Sequence, residues 1–298
     1  MTTRPIVPLL LCLASPAWSQ APVTIADLVA EGAKLVPVPG EYRFTEGPAV
    51  AANGDVYFTD IPNNRIHRWS PDGTVSVFLE PTGGANGLYF TRGGNLLACE
   101  GSKGRVVAID PAGGIAIIAS QYEGRRFNSP NDLWIDPAGG VYFTDPVYGR
   151  EVVQDGEHVY YVPPDRETPV RVIDDLVRPN GVIGTPDGRT LYVADHGANR
   201  TYRYGIRPDG TLADKALFCE SGSDGMTLDE HGNLYLTGAG VLVFSPGGEQ
   251  IGALEIPQRP TNLCFGGPDR RTLLITARTA VYTLPMRLRG AGAEADAE

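Results

Sequence analysis

The chain has 298 residues, with 35 Asp and Glu against 25 Lys and Arg for a formal charge of −10. That acidic balance argues against a nucleic-acid partner, whose phosphates demand a basic surface, and suits cation binding. No stretch approaches the roughly 18 uninterrupted apolar residues of a transmembrane helix, so no membrane span is expected.

In chain order, residues 1–19 place Arg4 before an apolar stretch over 6–14 and an Ala17-Trp18-Ser19 small-x-small pattern, the layout of a cleaved export signal. The mature protein is therefore expected in the periplasm or the medium. Residues 20–32 are expected as an N-terminal extension at the surface, and 33–38 as a strand with no blade of its own. A unit then recurs six times: a polar residue, a small or apolar pair, a Gly, Asn or Asp turn, and an apolar run. The copies begin at Glu46-Gly47-Pro48, Asn86-Gly87-Leu88, Asn131-Asp132-Leu133, Asn180-Gly181-Val182, Asp224-Gly225-Met226 and Thr261-Asn262-Leu263, with starts 40, 45, 49, 44 and 37 residues apart. Their apolar runs are typified by Val56-Tyr57-Phe58-Thr59-Asp60 and Leu191-Tyr192-Val193-Ala194-Asp195.

A period near 40 with strand-like content is the signature of a propeller, one four-stranded blade per repeat. Apolar residues at helical spacing, which a helical solenoid needs, are missing. Tight-turn residues such as Pro71-Asp72-Gly73 and Pro208-Asp209-Gly210 punctuate the chain instead. The fold class predicted is all-β, a six-bladed β-propeller over 33–288. The last copy has room for three strands, so 33–38 is expected to add the fourth and close the ring, with 289–298 as a flexible acidic tail. Loss of Cys12 with the signal leaves Cys99, Cys219 and Cys264, each inside an apolar run and read as a small buried hydrophobe; a bridge between one pair is the alternative.

In such a fold the first strand of each blade lines the axis, so Glu46, Asn86, Asn131, Asn180, Asp224 and Thr261 form one ring. Carboxylates and amides in a narrow channel need a partner, and a hard divalent cation satisfies an all-oxygen set. Ca2+ is the first choice because it accepts irregular oxygen ligands, with Mg2+, Mn2+ and Zn2+ as alternatives. Asn86 and Thr261 are read as pocket wall. The second strand ends on the same face at Asp60, Glu100, Asp145, Asp195, Gly238 and Ala277. The loop over 145–158, with Tyr148, is read as a lid, and His196 and Asn63 as neighbouring walls.

Glu46-Gly47-Pro48, Ser129-Pro130-Asn131-Asp132, Arg178-Pro179-Asn180-Gly181, Asp224-Gly225-Met226 and Pro260-Thr261-Asn262-Leu263 together resemble the gluconolactonase and regucalcin (senescence marker protein) family of six-bladed propellers. The resemblance implies metal ligands at Glu46, Asn180 and Asp224, a ligand or substrate amide at Asn131, and metal-dependent hydrolysis of sugar lactones or related esters. One departure follows Glu100, where Gly101-Ser102-Lys103 stands in place of the His that bacterial relatives often carry. On this reading Asp224 is the general base, with Asp132 second choice, and Asn86, Asn131, Tyr148 and His196 contact the substrate. No Gly-x-Ser-x-Gly elbow exists, which disfavours a serine triad. The alternatives are an enzyme acting on other esters or phosphotriesters and a non-catalytic calcium-binding propeller. A monomer or weak homo-oligomer is expected.

Overall fold

The inner strands of each blade are rich in β-branched and aromatic residues, and burial falls from the inner strands to the outer ones. Val141–Asp145 and Leu96–Glu100 are buried throughout, whereas the outer Ile115–Ala119 is mostly exposed. In a computed structural model describing residues 23–148, 151–165 and 168–292, the described strands form six four-stranded antiparallel sheets and one two-stranded ribbon, Gln121–Tyr122 with Arg125–Arg126. Blade one comprises Thr45–Val50, Val56–Asp60, Arg65–Trp69 and Val75–Leu79; blade two, Ala85–Phe90, Leu96–Glu100, Arg105–Ile109 and Ile115–Ala119. Blade three comprises Leu133–Ile135, Val141–Asp145, His158–Val162 and Val170–Ile173; blade four, Pro179–Gly184, Thr190–Asp195, Arg200–Ile206 and Leu212–Cys219. Blade five comprises Met226–Leu228, Leu234–Thr237, Val241–Phe244 and Gln250–Leu254. In these five blades the strands pair in chain order from the axis outward.

Blade six is built from both ends of the chain. Asn262–Gly266, Thr272–Ala277 and Ala280–Pro285 take Val36–Pro37 as their outer strand, with Val36 opposite Thr283 and Pro37 opposite Tyr282. The closing strand expected within 33–38 is therefore present. Closure is reinforced at the axis, where the Thr45 amide donates to the Arg278 carbonyl at 2.7 Å. A ring joined this way leaves no long unpaired sheet edge.

The expectation that 20–32 stays at the surface is corrected for its second half. The short helix Ile25–Leu28 packs on blade five, and Leu28 is 1% exposed among Tyr235, Val241, Leu273 and Leu284. Burying one leucine stabilises by about 2 kcal/mol, enough to hold so short a segment. The chain past the last strand is also tied down: the Ala291 amide donates to the Leu228 carbonyl at 2.9 Å. Residues 1–19 and 293–298 lie outside the described residues. Cys99, Cys219 and Cys264 are buried free thiols, as expected of small hydrophobes.

Candidate active site at the axis

The ladder between first and second strands breaks where the polar ring begins. Register shifts fall between Glu46 and Ala49, between Ala85 and Leu88, and between Pro179 and Val182. In blades three and five the ladder starts only at Leu133 and Met226, after Asn131-Asp132 and Asp224-Gly225. Such breaks free a side chain from the pleat and re-aim it, here toward the axis.

Glu46, Asn180 and Asp224 converge. The Asn180 side-chain amide donates to Asp224 Oδ1 at 2.6 Å and to the Tyr148 hydroxyl at 2.5 Å. Glu46 is buried, accepts the Gly47 amide at 2.9 Å on Oε2, and its carboxyl is held well above the usual range by burial and then by the charge of Asp224. Burial also raises the half-buried Asp224, while His196, Asn180 and Arg259 pull it back down. Asp132 adds a third carboxylate, pushed up to about 7 chiefly by burial. Among the described ion pairs none involves these three acids. Buried carboxylates that repel one another and have no ion-paired protein cation are the donor chemistry a divalent ion satisfies. Among the described residues no three His, Cys, Asp or Glu side chains cluster into a site by themselves; two carboxylates with the Asn180 amide make the candidate set, so the residues fit a hard, oxygen-seeking ion.

The remaining predicted residues separate. Asn86 and Asn131 sit at equivalent positions in blades two and three, where their backbone carbonyls accept the Thr59 hydroxyl and the Gly87 amide. Tyr148 reaches Asn180 from the loop after Asp145, and Arg178 stacks on its ring at 5.3 Å. The described parts of that loop, on either side of 149–150, are tied down: Asn128 Oδ1 accepts the Val153 and Gln154 amides at 2.8 and 3.0 Å, and Glu157 accepts the Val147 amide. His196 Nδ1 lies 3.3 Å from the Ser223 carbonyl, which only accepts, so Nδ1 carries the hydrogen. Thr261 does not wall the pocket. Its hydroxyl lies 2.8 Å from the Thr45 carbonyl and 2.9 Å from Thr276 Oγ1, bracing blade six against blade one. The strand-end acids are braces too: Asp60 accepts the Arg43 and Phe44 amides, and Asp145 those of Asn128 and Ser129. Asn63 serves Asp60 in turn, at 2.7 Å.

Asn262 is the residue that sequence reasoning passed over. It occupies the second place of its repeat, where four blades have Gly and blade three has Asp132. Its side-chain amide faces both Glu46 and Asp132 and acts to lower each carboxyl toward ionisation. The glycines make room for this cross-axis pair: a Cβ on Gly225 would lie 2.0 Å from Asn262 Cγ, and one on Gly87 would lie 2.6 Å from Asp132 Oδ1. The two exceptions to a glycine column were the available signal. Asn262→Leu strips the amide from two buried carboxylates and is expected to cost about 1–3 kcal/mol of stability, read as a lowered urea midpoint without a change in slope.

The chain belongs to the SMP-30/gluconolactonase/LRE-like family, whose defining region matches residues 44–279. It is 30% identical over 277 residues to a gluconolactonase from Zymomonas mobilis, covering 80% of this chain and 78% of that protein. A pentonolactonase from Haloferax volcanii is 30% identical over 251 residues, covering 78% and 81%. The solved structure of a gluconolactonase from Xanthomonas campestris superimposes with a TM-score of 0.83 at 30% identity, covering 89% of this chain and 94% of that one. The family resemblance carried by the repeat motifs is thus borne out.

Proposed function

We propose that this protein hydrolyses sugar lactones with the help of a divalent cation held by Glu46, Asn180 and Asp224, with Asp224 as the base for the attacking water. Family membership and the activities of relatives that align over most of their length make it a lactonase, a carboxylic ester hydrolase. The cation and the division of labour among residues are our reading, carried by one observation: Glu46 and Asp224 are raised by burial, and Glu46 further by the charge of Asp224, with no protein cation paired to either.

When bound, a divalent cation supplies Lewis acidity toward a carbonyl oxygen, Ca2+ less strongly than Zn2+. A base is then still needed, and two carboxylates are in reach. Asp132 accepts the Leu133 amide at 3.0 Å, and the Val182 amide and the Asn262 side chain also act to hold its charge. With its lone pairs so engaged it is better suited to holding the floor of the site than to moving protons. Asp224 lies at the mouth with Oδ1 on the Asn180 amide, which leaves Oδ2 to take a proton from water and return it to the ring oxygen that leaves as an alcohol. A carboxyl raised by burial is a stronger base than one in water, and positioned bases contribute about a hundredfold to ten-thousandfold. Asn86 and Asn131 present amides from adjoining blades that suit sugar hydroxyls, and Tyr148 and His196 close the side beyond Asn180. Ca2+ best suits the irregular oxygen set. Export to the periplasm or the medium under residues 1–19 belongs to the same proposal; a reporter fused after the signal and retained in the cytoplasm would remove it.

The test is acid release from a panel of aldonolactones followed by a pH indicator. Turnover above the spontaneous rate that chelator abolishes and Ca2+ restores is the expected outcome. Chelator-insensitive turnover removes the cation from the reading.

A further inference from the structure

We propose that blade five carries a subsite for an anionic substituent, so that the preferred substrates are lactones bearing a phosphate, sulfonate or second carboxylate away from the ring carbonyl. The inference rests on the lactone reading above. It starts from a break in the repeat. In four blades the second strand ends in an acid, Asp60, Glu100, Asp145 or Asp195, which braces the face through backbone amides or, for Glu100, through Arg105. Blades five and six end instead in Gly238 and Ala277. That sector of the face therefore loses two negative charges in a chain whose formal charge is −10.

A cavity of about 550 Å³ opens in this sector, a size that admits a small ligand. The hairpin Gly238-Ala239-Gly240 leaves the space, and Thr237, Ile256 and Pro257 help to line it. Its lining contains no Asp or Glu but does contain Arg259 and His196. Arg259 is exposed and makes no described ion pair. His196 spends its Nδ1–H on the Ser223 carbonyl, so Nε2 donates to an oxyanion only as the doubly protonated imidazolium. Both side chains bear electrostatically on Asp224, which places the cavity beside the axial site, within reach of the far end of a lactone bound there. An acid-free hollow with a guanidinium, and an imidazole that donates from Nε2 once protonated, suits a planar or tetrahedral oxyanion.

The test pairs binding with turnover on the Ca2+-loaded protein. Calorimetry compares gluconate with 6-phosphogluconate, neither of which has a ring to open, and kinetics compare glucono-1,5-lactone with its 6-phosphate. The phosphorylated acid is expected to bind at least about tenfold more tightly, the scale of one charge-assisted hydrogen bond. Arg259→Gln should cut that preference to about twofold, His196→Asn should reduce it, and added salt should weaken it. Equal binding of the two acids, or a preference that survives Arg259→Gln, overturns the subsite. A protein that prefers the phosphorylated acid but opens no lactone keeps the subsite and loses the lactone reading. Lactone turnover without any preference does the reverse.

Discussion

Asp224→Asn is expected to lower kcat/KM for lactone opening about a hundredfold to ten-thousandfold, the range of a positioned base, while Asp224→Ala loses turnover and cation binding together. The two substitutions separate two roles. An asparagine keeps an oxygen for a metal ion and a partner for Asn180 but cannot take a proton; an alanine keeps neither. Asp224 is partly open at the mouth, and its described side-chain partner is Asn180, so both variants should fold and, in the presence of chelator, melt no lower than the wild type. Asp132→Asn provides the contrast. That carboxyl accepts the Leu133 amide and is held by the Val182 amide and the Asn262 side chain around it, so its loss should show in stability before it shows in the pH profile of kcat. A full loss of turnover in Asp132→Asn with Asp224→Asn still active would exchange the two assignments.

The second large effect is on stability. Glu46, Asp132 and Asp224 all bind protons more tightly in the folded protein than in the unfolded chain, where they ionise near pH 4. A raised carboxyl pKa makes the folded state the better proton binder, so its contribution is most favourable below about pH 4 and is lost as pH rises through the folded value. For Asp132 that window runs up to about 7. Stripped of metal, the protein should melt at lower temperature at pH 8 than at pH 6. Glu46→Gln, which removes one charge and keeps an acceptor for the Gly47 amide, should raise the melting point of the stripped protein at pH 8 by about 2–8 °C, corresponding to about 1–2 kcal/mol. Ca2+ at a hundredfold excess over its dissociation constant should add about 2.7 kcal/mol to the wild type. That gain should shrink toward pH 5, where protons compete with the ion, and should be absent in Glu46→Gln. Calorimetric scans with and without chelator read all of these shifts.

Much of this architecture was legible because a propeller writes itself into sequence at two scales. The strand-long apolar runs set the period, and one polar residue at a fixed place in each repeat marked the axis; Glu46, Asn180 and Asp224 meet there because equivalent positions in a closed ring must. The closing strand was legible from arithmetic, since the last repeat was one strand short. What escaped were departures from the repeat. Thr261 aligned with the ring, yet its hydroxyl bonds the Thr45 carbonyl, and the side chain of blade six that bears on Glu46 and Asp132 is its neighbour Asn262. The contact of Tyr148 with Asn180 spans 32 residues, which no local spacing reports, although the loop that carries it was placed at the right mouth. Arg259 lies outside the repeated unit and was silent until the missing acid at Gly238 gave it a cavity to line. Leu28 was read as surface because a four-residue helix has no periodicity to display; only the apolar hollow on blade five explains its burial.

The account turns on whether the axial carboxylates hold an ion. The direct measurement is calorimetric titration of the chelator-stripped protein with Ca2+, repeated in buffers of different ionisation enthalpy to count protons. Saturable binding at one site per chain, with proton release at pH 6–7 and loss of the site in both Glu46→Gln and Asp224→Ala, is the predicted result. Absence of saturable binding, or binding that Glu46→Gln leaves unchanged, would contradict it.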